Sequence, residues 1–420
     1  MTPARLLLFA LLLVFSLSLT AADRPPNIVM LIADDQAWAD HGFIGHPHIR
    51  TPNLDQLAEQ GLLFTRGYVP TALCRPSLAS LMTGLYPHQH RITGNRVGQP
   101  VSKARQPAAE AELAASFSSL PRLAALLDNA GYRSFQTGKW WEGDYSRGGF
   151  SAGMSSEESL DIGRKTMQPL FDFIDEHAEQ PFFLWYAPYL PHFPHNPPQR
   201  LISRYLKEQI HPEMAKYYAM IEWNDETIGQ LVEYLRQSGH ADNTVFVYLA
   251  DNGWIQPTAQ VEGHPWYYGA PRGKGSPYEN GIRTPIILSW PGHISAGSTD
   301  TPVSSIDLAP TLLRLAGQPV PSTMMGLDLL DEKARIARPA VYGASFKHSI
   351  NPGVATAAAV RNRWLVNGDW KLIHHRGQQG AAASVELFDL GKDPEEKNNL
   401  AGQEATVDRL LALLDAWWAP

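Results

Sequence analysis

Four short apolar runs, each followed by polar residues, limit most strongly what this chain can fold into. The runs are Asn27–Ala33, Phe182–Ala187, Thr244–Ala250 and 285–290. Continuous apolar runs of this length are typical of strands buried on both faces of a mostly parallel sheet, because such strands have no side that faces solvent. The runs therefore predict a central sheet with helices on both faces.

Helical patterns lie between the apolar runs. The first covers 51–61, where Thr51 is an N-cap, Pro52 takes the first helical position and Gly61 ends the helix. Apolar residues also recur at helical spacing in three further segments, which are 119–131, 212–239 and 305–317. Because strands and helices alternate, the sequence predicts a doubly wound α/β domain with a mostly parallel sheet.

The pattern changes at about Arg338. Strand-like segments follow at Val341, 364–366, 370–374 and 386–390, and an amphipathic helix is predicted over 404–417. These elements indicate a small antiparallel α+β subdomain. The predicted parts of the chain are a signal peptide at 1–22, an α/β domain at 23–337 and a C-terminal subdomain at 338–420.

Residues 1–22 have the layout of a cleaved signal peptide. Arg5 lies in a short n-region, an apolar run follows over 6–15, and small residues at 20–22 precede a polar stretch. The run is too short for a comfortable membrane span, and no later segment approaches the ~20 apolar residues that a span needs. We therefore expect export to the periplasm or the extracellular space, with no stable membrane span after cleavage.

The charge of the chain argues against a nucleic-acid partner. The formal net charge is −7, and the predicted signal peptide carries only the +1 of Arg5, so removing it leaves −8. An acidic protein repels the phosphate backbone, although a locally basic pocket is still compatible with this charge. We expect no binding of nucleic acid.

Cys74 is the only cysteine in 420 residues, so it cannot form an internal disulfide. A single thiol in an exported protein calls for a reason. It can serve as a small buried hydrophobic residue. However, it lies in the segment Leu-Cys-Arg-Pro-Ser at 73–77, where Pro76 at a first helical position would begin a helix that ends near Gly84. A helix N-terminus favours negative charge, which indicates a chemical role for this thiol.

Acidic residues follow two of the predicted strands. Asp34 and Asp35 come directly after the first run, and Asp251 and Asn252 follow the run that ends at Ala250. Ligands in open α/β sheets bind at the carboxyl ends of strands, so these side chains should converge. Such residues can also be simple helix caps or turns. Two strand ends with the same oxygen-rich pattern favour a site for a hard divalent cation such as Ca²⁺ or Mg²⁺.

Two lysines and one histidine are candidate anion-binding and proton-donating groups. Lys139 follows a glycine, and Lys274 lies in the segment Arg-Gly-Lys-Gly-Ser at 272–276, so both can project an ammonium from a tight turn. His192 lies in a proline-rich loop after a predicted strand and is a candidate general acid. A loop lysine is usually solvated, and a single loop histidine is often without a catalytic role.

Taken together, these segments resemble the sulfatase family of the alkaline phosphatase superfamily. The resemblance includes Leu-Cys-Arg-Pro-Ser, Thr-Gly-Lys-Trp, Pro-His-Phe-Pro and Ala-Asp-Asn-Gly, in an order and spacing that extend over nearly the whole mature chain. The matching segments are 26–29, 34–35, 51–58, 73–77, 81–84, 137–140, 191–194, 250–253, 273–276, 307–313, 387–390 and 393–395. The part at 23–337 would then be the catalytic domain.

The family's chemistry implies a role for the single cysteine. In sulfatases a separate maturation enzyme oxidises the motif cysteine to Cα-formylglycine, whose hydrate is the nucleophile and a metal ligand. By this resemblance Cys74 would be the precursor, a formylglycine-generating enzyme would be a partner, and the cation would be Ca²⁺, with Mg²⁺ as the alternative. The implied metal ligands are Asp34, Asp35, Cys74, Asp251 and Asn252.

The resemblance also implies roles for the cationic residues and a class of substrate. Lys139 and Lys274 would neutralise the charge of the sulfate, and His192 would assist the leaving group. The substrate would be a small-molecule or carbohydrate sulfate ester. Aromatic residues near the predicted cleft favour a sulfated carbohydrate, since aromatic faces pack on sugar rings, and these residues are Trp140, Trp141, Trp254, Trp266, Tyr267 and Tyr268.

Two positions depart from the family pattern. The pattern reads Cys-x-Pro-Ser-Arg, whereas Leu78 takes the fifth position here; it also reads Gly-Lys-Trp-His, whereas Trp141 takes the place of the histidine. Arg75 and Glu142 are candidates to compensate. Two alternatives to a sulfatase therefore stay open: a phosphate or phosphonate ester hydrolase of the same superfamily, and a non-catalytic relative that binds an anion or a carbohydrate.

Overall fold

The computed structural model describes residues 24–99, 101–254, 272–377 and 382–420. The predicted signal peptide lies outside these ranges. In chain order, the strands are β1 (Asn27–Ala33), β2 (Leu62–Tyr68), β3 (Arg96–Val97), β4 (Arg133–Gly138), β5 (Ala152–Gly153), β6 (Phe182–Ala187), β7 (Thr244–Ala250), β8 (Arg283–Ser289), β9 (Gly297–Thr299), β10 (Val303–Ser304), β11 (Val341–Phe346), β12 (Ser349–Ile350), β13 (Val360–Asn367), β14 (Trp370–His375) and β15 (Ser384–Asp389).

Helices connect most of these strands. They are α1 (Pro52–Gln60), α2 (Cys74–Thr83), α3 (Pro87–His90), α4 (Gln106–Ser118), α5 (Leu123–Asp128), α6 (Gln168–Glu176), α7 (Gln199–Lys207), α8 (Pro212–Gln237), α9 (Glu279–Ile282), α10 (Leu308–Leu315), α11 (Glu332–Ala337), α12 (Thr356–Ala359) and α13 (Glu404–Trp417). Short 3-10 helices lie at Gly42–Ile44, Tyr145–Gly148, Ala241–Asn243 and Ser305–Asp307. Within the described ranges, no helix has both the length and the apolar character needed to cross a membrane.

A nine-stranded sheet forms the centre of the larger part of the molecule. Eight strands follow the order β10-β2-β8-β7-β1-β6-β4-β5, and β9 also pairs with β2. The central strand β1 is parallel to both of its neighbours, β6 and β7, whereas β8 is antiparallel to β7 and β2. The predicted mostly parallel, doubly wound sheet is therefore confirmed, with β8 as the antiparallel exception.

Helices cover both faces of this sheet, as the apolar runs predict. Every residue of β1 is buried, and successive side chains of a strand point to opposite faces. One face carries Ile28, Met30 and Ile32, which pack with α2, α5 and α10, and the other carries Val29, Leu31 and Ala33, which pack with α1, α6 and α8. Neither face of β1 therefore reaches solvent.

Two predicted helices are shorter in the structure than their sequence patterns indicate. The segment 119–131 is helical only over Leu123–Asp128, because Pro121 has no backbone N–H and disfavours a helical conformation at the residue before it. In the segment 305–317, a 3-10 turn precedes α10. Helices α4, α6 and α7 were not predicted.

A four-stranded antiparallel sheet lies at the C-terminal end of the chain, in the order β11-β13-β14-β15. Helix α13 packs Leu410 and Leu414 against one face of it. Trp364 on the opposite face packs with Tyr68 of the large sheet. The predicted antiparallel subdomain is confirmed as a fold element, while the division at residue 338 stays a prediction.

A buried ion-pair network joins the two sheets. Lys371 of β14 is 0% exposed, and its ammonium lies 3.0 Å from the Glu279 carboxylate and 2.7 Å from the Glu396 carboxylate. Glu279 begins α9, which leads into β8 of the large sheet. One ammonium from the C-terminal subdomain therefore compensates two buried carboxylates at the junction.

We expect Lys371→Met to destabilise the fold by about 3–5 kcal/mol, because it leaves two buried carboxylates without their shared counter-ion. Chemical denaturation measures the loss. The control is Lys216→Met, which breaks the exposed Lys216–Glu213 pair and should change the free energy of unfolding by less than about 0.5 kcal/mol. A similar, small effect of both substitutions would contradict the assigned role of Lys371.

Candidate functional site

Three carboxylates and one amide gather where β1 and β7 end. Asp34 and Asp35 follow β1, and Asp251 and Asn252 follow β7. The two strands are parallel neighbours, so their carboxyl ends meet at the same edge of the sheet. The Asp35 amide donates a hydrogen bond to the Asp251 carboxylate at 3.1 Å, which joins the two strand ends. The structure thus brings all four residues together, as the sequence pattern predicted.

Asp35 lies at the centre of this group. Its φ of 62° is in the left-handed region that residues other than glycine rarely adopt. Asn252 Nδ2 donates to its Oδ1 at 2.7 Å, and Lys274 Nζ donates to its two oxygens at 2.5 and 2.8 Å. Burial alone would raise the pKa of Asp35, but Lys274 and then Lys139 bring it below its ordinary value. Asp35 is therefore an ionised carboxylate in a strained backbone conformation that these contacts hold.

Cys74 lies beside Asp35, as the first residue of α2. The helix begins at Cys74 and not at Pro76 as predicted, because a proline is tolerated throughout the first turn, where backbone N–H groups have no partner within the helix. The Cys74 Sγ lies 2.9 Å from Lys274 Nζ and 3.7 Å from Asp35 Oδ1. Gly84 ends the helix in a left-handed conformation, as expected.

The Cys74 thiol is neutral in this environment. The side chain is 1% exposed, and burial raises the pKa of the thiol well above its ordinary value although Lys139 and Lys274 oppose this shift. The cost of burying a negative charge exceeds the attraction of the cations and of the helix N-terminus, while the chemical role expected for this thiol stays a prediction. An unmodified Cys74 is a weak nucleophile, since the thiolate is the reactive form.

The two predicted lysines reach the carboxylates from separate segments. Lys139 follows β4, and its ammonium donates hydrogen bonds to Asp34 and, at 3.1 Å, to Asp251. Burial alone would lower the pKa values of both lysines. Asp251 and Asp34 raise the pKa of Lys139, and Cys74 and then Asp35 raise that of Lys274, so both lysines are charged. Gly138 permits the turn before Lys139: its φ is +70°, and a Cβ there would lie 2.1 Å from the Ala187 carbonyl oxygen.

His192 lies on the open side of the group. Its Nε2 is 3.5 Å from Asp35 Oδ2, and its side chain is 35% exposed, so it can meet both the buried site and a molecule arriving from solvent.

The aromatic residues proposed to line the cleft lie in different surroundings. Trp140 is half-buried and packs with three other aromatic rings, and Trp141 is half-buried in the lining of a cavity beside Arg75. Trp254 is buried and stacks on Tyr217 at 3.9 Å between ring centroids, so it is not available to a sugar. Residues 266–268 lie outside the described ranges.

The donor set fits a hard divalent cation. Ligand atoms of Asp34, Asp35, Cys74 and Asp251 all lie within 4.8 Å of one another. Within the described part of the chain, Asp34 Oδ2 and Asn252 Oδ1 are buried without a hydrogen-bond partner. Burial raises the pKa of Asp34 to about 6 although Lys139 opposes this. Buried oxygens that lack a partner, next to carboxylates that repel one another, are what Ca²⁺ or Mg²⁺ would satisfy.

Arg75 forms a second charged group directly after Cys74. Its Nε and Nη2 donate to the two oxygens of Glu142 at 2.7 and 2.9 Å, and its Nη1 donates to Glu110 at 2.7 Å. The sequence analysis proposed Arg75 and Glu142 as separate candidates to compensate for the departures from the family pattern, but no sequence pattern indicated Glu110. These residues are 35 and 67 positions from Arg75, and no local pattern indicates such a contact.

Comparison with known proteins yields matches along almost the whole chain. Residues 26–318 match the sulfatase family model, and residues 272–415 match the model of the N-sulphoglucosamine sulphohydrolase C-terminal region. The chain is 30% identical to arylsulfatase A from Homo sapiens, covering 96% of this chain and 89% of that protein. It is 31% identical to N-acetylgalactosamine-6-sulfatase from Homo sapiens, covering 94% and 85%.

Solved structures share the fold. The crystal structure of Ps i-CgsB in complex with k-i-k-neocarrahexaose superposes with a TM-score of 0.74 at 24% identity, covering 94% of this chain and 93% of that one. The structure of BT4656 in complex with its substrate D-glucosamine-2-N,6-O-disulfate gives a TM-score of 0.72 at 22% identity, covering 94% and 97%. At this level of identity the two structures support the architecture.

We expect the stability conferred by Asp34 to depend on pH when no cation is bound. A carboxyl whose pKa rises from 3.8 to about 6 on folding holds its proton more tightly in the folded state. With a chelator present, the melting temperature of the wild type relative to Asp34→Asn should therefore fall as the pH rises from about 4 to about 6. Asp408→Asn, at an exposed position of α13, is the control, and parallel curves for wild type and Asp34→Asn would contradict this prediction.

Proposed function

The chain belongs to the sulfatase family and is a sulfuric ester hydrolase, and from this premise we propose that it hydrolyses sulfate esters of carbohydrates. We further propose that its nucleophile is a formylglycine made from Cys74 and that its cation is Ca²⁺, with Mg²⁺ as the alternative. The observation that carries this proposal is the buried cluster in which Cys74 Sγ lies 2.9 Å from Lys274 Nζ and 3.7 Å from Asp35 Oδ1, beside the other strand-end carboxylates. Burial raises the pKa of this thiol, and a protonated thiol is a weak nucleophile toward an ester, which supports a modification of Cys74 before attack.

Two lysines would bind the sulfate. The Lys139 ammonium is bonded to Asp34 and Asp251, and the Lys274 ammonium is bonded to Asp35 and Cys74. Both are fixed and charged before substrate arrives, so they can stabilise the charge that develops on sulfate oxygens without reorganising.

His192 would donate a proton to the leaving group. Its side chain is partly exposed, whereas its Nε2 faces Asp35 at 3.5 Å, so the carboxylate can orient the ring. An alcohol leaving group of a sugar is poor unless it is protonated as the ester bond breaks. We assign this role to His192 because it lies next to Asp35 and its side chain is partly open to solvent.

A divalent cation and formylglycine would each supply chemistry that the unmodified side chains lack. The proposed cation ligands are Asp34, Asp35, Asp251, Asn252 and the modified residue at position 74, and a bound divalent cation would supply a Lewis acid there. Formylglycine, which the maturation enzyme would generate, would supply the hydroxyl nucleophile that a neutral thiol lacks. Everything else in the proposed reaction belongs to side chains of this chain.

A carbohydrate substrate is supported by what related proteins act on. Relatives include N-acetylgalactosamine-6-sulfatase and N-acetylglucosamine-6-O-sulfatase, and one solved neighbour binds a disulfated glucosamine. We propose export as the route to such substrates, on the basis of the signal-peptide pattern at 1–22. A panel of sugar sulfates, with matched phosphate esters of the same leaving groups, tests the proposal; phosphate hydrolysis faster than sulfate hydrolysis would contradict it.

We expect Cys74→Ala to abolish hydrolysis while the protein stays folded. The thiol forms no disulfide, so its removal should cost only the usual ~0.5–3 kcal/mol of a point substitution. Activity is measured with a sulfate ester, and conversion of Cys74 in the wild type by mass spectrometry of its peptide. Met82→Leu, a volume-conserving change at another buried position of α2, is the control and should leave activity per folded molecule unchanged. Sulfate hydrolysis by Cys74→Ala would place the nucleophile elsewhere.

Calcium should bind the strand-end carboxylates and stabilise the fold. Calcium at 100 times its dissociation constant should add about 2.7 kcal/mol to the free energy of unfolding of the wild type, and a chelator should reverse this. Asp251→Asn should weaken calcium binding at least ~10-fold in a calorimetric titration. Asp225→Asn, at a buried carboxyl that bonds Asn53 and Leu54, is the control and should lower stability without changing calcium affinity. Equal calcium affinity in wild type and Asp251→Asn would contradict the site.

A further inference from the structure

The Arg75 guanidinium is enclosed by polar partners. Its side chain is 2% exposed, and it forms a two-bond fork with Glu142, which is 3% exposed. A third bond goes to Glu110, and the backbone carbonyl of Asn95 lies 3.5 Å from Nη1. The neighbouring carboxylates raise the pKa of Arg75 although burial opposes this. The group is a charged, rigid unit with no contact to the carboxylates that follow β1 and β7.

The fork connects the two segments that carry the proposed nucleophile and one sulfate-binding lysine. Arg75 directly follows Cys74 in α2, and Glu142 is three residues beyond Lys139, after β4. Glu110 of α4 extends the connection, because its second oxygen accepts a hydrogen bond from the Val97 amide at 2.6 Å. The position of Cys74 relative to Lys139 is therefore fixed through these side chains as well as through the sheet.

The positive charge of Arg75 is compensated by Glu110 and Glu142 within this unit. One guanidinium faces two carboxylates, so the unit has a net charge of −1 and does not attract a sulfate. Its planar fork, with two parallel bonds to Glu142, instead restricts distance and orientation at once. This geometry suits a role in positioning and not in direct contact with the substrate.

We propose that Arg75 and Glu142 are positioning residues that hold the reactive atom at position 74 in line with the sulfate bound by Lys139. This inference rests on the proposed function and goes beyond it, because it assigns a role in the reaction to two residues outside the cation site. The consequence is kinetic: loss of the fork shifts α2 relative to the segment after β4, and misplacement of reacting groups lowers kcat more than it weakens substrate binding.

The test compares Arg75→Lys and Glu142→Gln with the wild type. Arg75→Lys keeps the positive charge and loses the fork, whereas Glu142→Gln keeps the shape and loses the negative charge. We expect kcat, per formylglycine present, to fall about 100-fold in each, with a change in KM of less than about 3-fold. If the two residues act as one unit, the double variant should lose no more than either single variant.

Arg338→Lys is the matched control. Arg338 also forms a buried fork, with Asp307, but this pair lies at the junction of α10 and the C-terminal subdomain. It should lower the melting temperature by an amount similar to Arg75→Lys and leave kcat unchanged. Formylglycine content is measured in every variant by mass spectrometry, and binding of inorganic sulfate to each variant in a Cys74→Ala background is measured by calorimetry.

The outcomes separate this inference from the proposed function. Wild-type turnover of sulfate esters, with kcat unchanged in Arg75→Lys and Glu142→Gln, would overturn the positioning role alone and make the fork merely structural. A wild type that neither hydrolyses sulfate esters nor binds sulfate would contradict the proposed function and the positioning role with it. A loss of kcat restricted to the two fork variants, with sulfate binding retained, would support both.

Discussion

Buried negative charge at the carboxyl ends of β1 and β7 is the constraint on which the rest of the site depends. Asp34, Asp35 and Asp251 lie within a few ångströms of one another, out of water, where like charges repel strongly. Lys139 reaches them from the end of β4, across the end of β6, because the sheet order places β4 two strands from β1. Lys274 arrives from a segment much later in the chain. The repulsion among the three carboxylates is therefore compensated by the two lysines only when the sheet and both lysine-bearing segments are in place.

An element of the fold could be predicted when its own residues contained the pattern that defines it. β1, β6 and β7 are continuous apolar runs, so their burial was readable directly. The antiparallel direction of β8 was not, because strand direction depends on the path of the connection and not on the strand's own residues. Pro121 indicates that α5 begins later than residue 119, since a proline restricts the residue before it. The helical spacing of the apolar residues over 119–131 nevertheless led to a longer predicted helix.

The same division holds for the site. Residues that follow buried strands were predicted to converge, and Asp34, Asp35, Asp251 and Asn252 do lie together. Contacts between side chains far apart in sequence were not readable. Nothing near Arg75 indicates that its partners are Glu110 and Glu142. Likewise, the raised pKa of the Cys74 thiol follows from how deeply it is buried, which only the packed structure shows.

The surroundings of α2 account for the leucine at position 78. Cys74 and Leu78 are four residues apart and therefore lie on the same side of the helix, and Leu78 packs in the apolar core over one face of the large sheet. A guanidinium there would need polar partners that this core does not offer.

At position 75, one residue past the cysteine, the guanidinium points to two carboxylates instead. The helix thus keeps an arginine next to its first residue, whereas Leu78, one turn after Cys74, packs in the apolar core. Glu142 and Glu110 balance the positive charge of Arg75, so this charge supports the placement of the helix and does not offset the burial that raises the pKa of the Cys74 thiol.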